Sequence, residues 1–371
     1  MFQKRVQRGG KFQPELEIPH NVLSIFYIDK SECNKPDSVY FTVMYHHDNK
    51  ESPITVFGEN KELIETFISE IGLETASYNK MKRNVKKIKD LFDKELSEPE
   101  KQYAVLLKGF LHKCDYSASA GIECEKVNDF LNTSLNEWET AENVSYNELQ
   151  EFCIKNTDSN LIVTAPTGMG KTEAGLLWCG DNKCFFVLPL KTAINAMYGR
   201  IKDLCGKDFK ERVALVHSDM KSYYLEDSII NGKNYDFVYA QYSKQLSLPI
   251  TVCTPDQIFD FALKYAGYEY KLAVASYSKF IIDEIQMYSP DVLAAVIYAI
   301  KMIHTLGGKV AVLTATLPPF VKNELEKIFG EDVKIADFSD KGKLKHNVKV
   351  QEKVLQSDDI IKIFNDTKCD K

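Results

Sequence analysis

The sequence predicts an α/β fold: a doubly wound parallel sheet in the second half of the chain, preceded by a mostly α-helical region. Three observations predict it. After Leu149, six short β-rich runs recur, separated by helical stretches. Most of these runs are continuously apolar, the pattern of strands buried on both faces of a parallel sheet. Over residues 1–120, by contrast, apolar residues recur at helical spacing.

In chain order, Leu63, Ile64, Phe67, Ile68 and Ile71 have helical spacing, as do Leu106, Leu107, Phe110 and Leu111. Between them, Lys80, Lys82, Arg83, Lys86, Lys87 and Lys89 form a local basic excess that reads as the solvated face of a helix. Residues 116–145 shift to Ser, Ala, Gly, Asn and Glu with few large apolar groups, and a linker is expected over 121–145. The expected strands are Leu161–Thr164, Phe185–Leu188, Val213–Val216, Ile250–Cys253, Phe280–Asp283 and Val310–Thr314. The sheet region is expected to span 146–345. No internal repeat or low-complexity tract interrupts it.

The 371 residues are 44% hydrophobic and 27% charged, ordinary values for a globular protein. A formal charge of −6 does not advertise nucleic-acid binding, although a local basic groove would suffice for it. Nine scattered cysteines without a Cys-x-x-Cys pair point to free thiols in a reducing compartment rather than disulfides or structural zinc. The N-terminus lacks the apolar stretch of a signal peptide. The longest apolar run, Val292–Ile300, is too short to span a membrane. A cytoplasmic protein with no membrane partner is expected.

Three motifs sit at expected strand ends, where ligands gather in such sheets. Ala165, Pro166, Thr167, Gly168, Met169, Gly170, Lys171 and Thr172 lie between a strand and a helix, the context a phosphate-binding loop requires. Its glycines let backbone N–H groups wrap phosphate oxygens. Lys171 would reach the β- and γ-phosphates of ATP, and Thr172 would place its hydroxyl on Mg²⁺. Asp283 and Glu284 close the fifth run; Asp283 would hold the same Mg²⁺ and Glu284 would orient and deprotonate a water. Thr314 and Thr316 end the sixth run and could couple nucleotide state to other loops. Lys191 with Thr192, and Thr254, Pro255 and Asp256, follow the second and fourth runs. Their hydroxyls, lysine and helix-terminal amides suit phosphodiesters without reading sequence.

With these residues in view, residues 150–320 resemble the first RecA-like domain of a superfamily 2 helicase. PLKTAINAMYGR (189–200), LVHSDM (215–220), TVCTPDQIFDFALKY (251–265), IIDEIQMYSP (281–290) and LTATLPP (313–319) resemble, more narrowly, the CRISPR-associated helicase–nuclease of type I systems. The resemblance implies that Gln150, 21 residues before Lys171, reads adenine. Gln286 stands where the family commonly has histidine. That family carries an HD-type metal-dependent nuclease ahead of the motor. Its later motifs match here at His20, His46, His47 and Asp115, which implies an HD-like domain over 1–120 suited to Mn, Fe, Co or Ni.

The family's opening His and His-Asp dipeptide do not occur before His20, and residues 1–12 resemble sequence that follows that dipeptide. The resemblance therefore implies a half-site for one weakly bound metal and little nuclease activity. Residues 346–371 resemble the start of the bridge to a second RecA-like domain, which implies slow hydrolysis by this chain alone. The partners implied are single-stranded DNA, a guide-RNA surveillance complex and a separate polypeptide supplying further domains. A superfamily 2 RNA helicase fragment and a non-catalytic nucleotide- and DNA-binding module are the alternative readings.

Overall fold

The sheet forms where continuous apolar runs can be covered on both faces. In the computed structural model, which describes residues 18–47, 52–70, 72, 77–143, 145–230, 234–339, 354, 356–359 and 361, seven strands pair in parallel. They are β1 (Asn160–Thr164), β2 (Cys184–Val187), β3 (Val213–Val216), β4 (Ile250–Cys253), β5 (Lys279–Asp283), β6 (Lys309–Thr314) and β7 (Val333–Asp337). Their order is β3-β4-β2-β5-β6-β1-β7. Alternate residues serve opposite cores: Leu161, Val163, Ile281, Ala311 and Leu313 face one, while Ile162, Phe280, Ile282, Val310 and Val312 face the other. A two-residue side-chain period with both faces covered requires this pattern.

Six of these strands coincide with the expected runs to within a residue at either end. β7 was not among them. Its sequence, Val-Lys-Ile-Ala-Asp, lies at the sheet edge with much of each side chain in water, so it lacks an apolar run. Residues 121–145, expected as a linker, include the helix Leu131–Glu142. Phe130, Leu131 and Leu135 are buried in the sheet region's core, so few large apolar groups were enough to seat it.

The helical region has its own core of Val22, Ile25, Tyr40, Phe41, Met44, Phe57, Ile64 and Ile88, among others. Helix Lys61–Glu70 buries Ile64, Phe67 and Ile68, as the spacing requires; Ile71 lies outside the described residues. Helix Tyr78–Phe92 buries Tyr78, Met81, Val85, Ile88 and Leu91 and exposes all six of the expected basic residues.

Helix Pro99–Ala120 joins the two halves, giving Ala104 to the helical core and Val105 to the sheet's core. Its buried face is not the apolar one. Leu106, Leu107 and Leu111 are half-buried and Phe110 is exposed, while Lys101, Lys108, Gly109, His112 and Lys113 are buried. Gly109 explains the choice: a Cβ there would lie 2.1 Å from the Glu269 carbonyl oxygen, so glycine lets this helix close on helix Tyr268–Ala275. The buried lysines are satisfied. Lys108 pairs with Glu269 at 2.9 Å, Lys101 donates to the Leu91 carbonyl at 2.6 Å, and Lys113 donates to the Gln245 carbonyl at 3.1 Å.

Residues 1–338 form one compact unit and 339–371 a second. In the second, Gln356 and Asp359 close a short helical turn through two hydrogen bonds of 3.0 Å. Residues 1–12 lie outside the described residues, as does most of 346–371. No described helix is long and apolar enough to cross a membrane.

Candidate functional site

The loop after β1 is held at both ends. The Ala165 N–H donates to the Thr314 carbonyl at 2.9 Å, continuing the β1–β6 ladder by one residue. The Met169 carbonyl accepts from Asn147 Nδ2 at 2.9 Å. Gly168 and Gly170 adopt φ of +83° and +77°, the left-handed region that favours glycine. A Cβ on Gly170 would also lie 2.7 Å from Gln150 Nε2. Helix Lys171–Cys179 starts directly after it, aiming its first amides into the loop. Pro166 and Thr167 lie in the loop, Thr167 exposed, and Thr172 is buried at the helix start.

Lys171 Nζ donates to the Ala165 carbonyl at 3.1 Å and stands 3.8 Å from Glu284 Oε1. The structure thus brings the loop lysine to the carboxylate pair at the end of β5. Burial, with the Glu284 charge adding to it and Lys171 opposing, pushes the Asp283 carboxyl up to about 6. Its Oδ1 is buried with no hydrogen-bond partner among the described residues. Glu284 takes φ of +49°, a left-handed conformation costly for a residue with a Cβ, at the point where the strand ends and a short helical turn begins. A magnesium ion fits this donor set: Asp283 offers a buried oxygen lacking a donor, and Thr172 adjoins Lys171.

A side-chain chain leads away from the pair. Glu284 accepts from Gln286 Nε2, and Gln286 Oε1 accepts from the Thr314 hydroxyl. Thr314 Oγ1 in turn accepts the Thr316 N–H at 3.3 Å. The sequence offered Thr314 and Thr316 as coupling residues at the end of the sixth run, but noted Gln286 only as a departure from the family pattern. An amide can donate to one side and accept from the other, which is what this position uses.

Gln150 is buried beside the loop, but its Oε1 accepts from the Asn147 N–H at 3.0 Å in a reciprocal capping box at the start of helix Glu148–Lys155. Asn147 was missed at sequence level. The Asn-x-x-Gln spacing before a helix was the available signal. A cavity of about 420 Å³ adjoins Thr172, Glu173, Trp138 and Arg200; Lys171 and Asp283 do not line it.

The other strand-end residues converge on His217, just after β3. Lys191, at the start of helix Lys191–Cys205, pairs with Asp219 at 2.6 Å; Thr192 follows it, exposed. The Thr254 N–H donates to the Val216 carbonyl at 3.4 Å, and Pro255 and Asp256 open the next short helix. His217 Nδ1 accepts the Asp219 N–H at 3.1 Å, so its Nε2 carries the proton; that atom and Thr254 Oγ1 are buried with no partner among the described residues. Burial holds the His217 imidazole below its usual range, against the charges of Asp219 and Asp256, with Lys191 adding to the lowering. Sequence reasoning assigned His217 no role.

In the helical region, His20, His46 and His47 each offer a ring nitrogen within 4.8 Å of the others. His20 starts a short helix, and His46 and His47 follow helix Pro36–Tyr45. His46 Nδ1 lies 2.6 Å from the Val43 carbonyl, which fixes the proton there and leaves Nε2 free as a ligand. His47 Nε2 and His20 Nε2 are 3.0 Å apart, within hydrogen-bond distance. Burial lowers His20 and His46, the neighbouring imidazoles add to this, and Asp115 opposes it. Asp115 therefore lies near enough to act through its charge, but not among the three clustered donors.

The DEAD/DEAH box helicase family profile matches residues 147–324. The CRISPR-associated nuclease/helicase Cas3 of Methanothermobacter thermautotrophicus is 29% identical over 264 residues, covering 68% of this chain and 32% of that protein. A putative CRISPR-associated nuclease/helicase Cas3 from Methanocaldococcus jannaschii is 28% identical, covering 45% of this chain and 24% of that protein. This chain thus spans about a third or less of the length of these curated relatives. The solved structure of T. fusca Cas3 with AMPPNP shares the fold with a TM-score of 0.54 and 17% identity, covering 85% of this chain and 39% of that one. Residues 147–324 thus match the DEAD/DEAH box helicase profile over a parallel-sheet domain of RecA-like fold, and the chain is similar in sequence to the CRISPR-associated nuclease/helicases.

Proposed function

We propose that the chain is an ATP-dependent DNA helicase and single-stranded DNA nuclease component of type I CRISPR interference, acting in the cytoplasm on a strand exposed by a guide-RNA surveillance complex. The observation that carries the motor reading is the approach of Lys171 to Glu284 beside an Asp283 oxygen that has no hydrogen-bond partner among the described residues. Ala165–Thr172 would wrap the triphosphate of ATP with backbone N–H groups, and Gln150 would lie beside the adenine. Lys171 would exchange the Ala165 carbonyl for phosphate oxygens. Thr172 and Asp283 would hold magnesium, which neutralises developing phosphate charge when bound. Glu284, fixed through Gln286, would orient a water and accept its proton.

Gln286 and Thr314 would pass the position of Glu284 to the strand-end loops. There Lys191, Thr192, Thr254, Pro255 and Asp256 would meet the DNA backbone. His20, His46 and His47 would hold one divalent Mn, Fe, Co or Ni ion, with Asp115 as a nearby anion. The donor chemistry suits such a metal, since three imidazole ring nitrogens lie within 4.8 Å of one another.

The nucleic-acid class is tested by ATP turnover with single-stranded DNA or RNA of equal length and sequence at fixed salt. The reading expects greater stimulation by DNA. Stimulation by RNA alone would favour an RNA helicase. Nucleotide and DNA binding without turnover, with partner proteins present, would favour a non-catalytic module.

A further inference from the structure

The C-terminal end of helix Pro99–Ala120 holds two thiols side by side. Cys114 Sγ and Cys124 Sγ are 3.9 Å apart. Backbone geometry puts them there. Gly121 takes φ of +67°, and the Ile122 N–H returns to the Ser117 carbonyl at 3.1 Å, a reversal that folds the following residues back along the helix. The returning strand is then anchored beyond Cys124. Glu125 accepts from the buried Lys183, pairs with Lys113 at 3.1 Å and accepts from the Tyr277 hydroxyl at 2.9 Å. The Lys126 N–H donates to the Ser247 carbonyl at 2.8 Å.

We propose that Cys114 and Cys124 form a dithiol modification site, oxidised reversibly to a disulfide by low-molecular-weight disulfides. Closure needs the sulfurs to approach to about 2.05 Å, from two positions that hydrogen bonds on both sides keep adjacent. Proximity and access together select this pair among the described residues: Cys114 is exposed and Cys124 half-buried, and Cys33, also half-buried, shares no such sulfur contact. Cys179 and Cys184 also share a hydrogen bond, but both are buried, as are Cys153, Cys205 and Cys253.

The exposed Cys114 thiolate attacks the small disulfide, forming a mixed disulfide and releasing one thiol. The Cys124 thiolate then attacks the Cys114 sulfur and releases the second. Two protein thiols are oxidised, one small disulfide is reduced, and the protein's two protons pass to the departing thiolates. The new bond staples the reversal at the end of the helix that joins both cores, next to Asp115.

The test treats the full chain with oxidised glutathione, then maps peptides without reduction. The expected result is loss of two titratable thiols and one cross-linked peptide carrying Cys114 and Cys124, both reversed by dithiothreitol. Cys114→Ser should abolish the cross-link and leave the remaining thiols unchanged; Cys124→Ser should instead trap glutathione on Cys114. Glutathione retained on Cys114 in the unmodified sequence, or cross-links scattered among other cysteines, would overturn the proposal. So would both thiols persisting after oxidant treatment.

Discussion

The sheet region and the helical region each gather polar side chains at element ends, but they hold them differently. In the sheet region, the loop after β1 and the carboxylates after β5 sit on neighbouring ladders. Asp283 is paired with Leu313 and Thr164 with Thr314. Strand register therefore fixes the spacing of Lys171, Asp283 and Thr314. In the helical region, His20 and the His46–His47 pair lie at the ends of two short helices, held together by packing of Val22, Phe41 and Met44. The contrast teaches that strand-end chemistry can be placed from order along the chain, whereas helix-end chemistry needs knowledge of packing.

The comparison can be broken first at the histidines. His46→Ala should reduce affinity for Ni²⁺ or Co²⁺ by about 10–100-fold or more, at least the effect of losing a supporting group in a metal site. Calorimetric titration of the full chain checks this, with nucleotide binding unchanged because the two sites are built separately. Equal metal affinity in the variant would mean that the three imidazoles are only a packed cluster.

The junction should respond next. Gly109→Val would push against the Glu269 carbonyl and Ala273, and overpacking of this kind costs about 1–3 kcal/mol. Urea unfolding should show the loss, with Gly109→Ala less affected. A neutral result would mean that the two helices can separate without cost.

The smallest effect sharpens the electrostatics of the sheet site. Asp283 titrates at about 6 when folded, against about 3.9 for an ordinary aspartate. The folded state keeps that proton while the unfolded chain releases it, so this contribution to stability is present below about pH 4 and is lost as pH rises to about 6. Asp283→Asn should therefore melt higher than the unmodified chain at pH 7 in EDTA, with the gap closing towards pH 4. A gap that widens on acidification would reverse the sign of this argument.

Much of the sheet was legible because its buried strands must be apolar on both faces. Val163 and Ile162 serve different cores, yet both had to be hydrophobic. β7 was illegible because an edge strand lacks that requirement, and Lys334 and Ala336 carry little signal. The buried face of helix Pro99–Ala120 was illegible for another reason. Its Leu106–Leu111 stripe looked like the core face, but a single small residue, Gly109, decided which side could approach a neighbour. Lys108 and Lys113 then followed it inside, because Glu269 and the carbonyls around Gln245 and Leu246 could receive them.

The candidate site shows the same division. Lys171, Asp283 and Glu284 were legible from motif order, since each motif closes a strand. Gln286 and His217 were not, because their roles depend on partners the motifs do not reveal: the Thr314 side chain from another strand end for one, the backbone N–H of Asp219 in its own loop for the other. A glutamine or histidine in isolation carries no such information.

The central claim is that Lys171 and Asp283 serve one magnesium–triphosphate complex. It is tested most directly by titrating a fluorescent ATP analogue into the full chain with magnesium or EDTA, alongside Lys171→Ala and Asp283→Asn. The account predicts binding that needs magnesium and falls by about 10²-fold or more in Lys171→Ala, with the magnesium dependence lost in Asp283→Asn. Equal binding in EDTA, unchanged by either substitution, would contradict it.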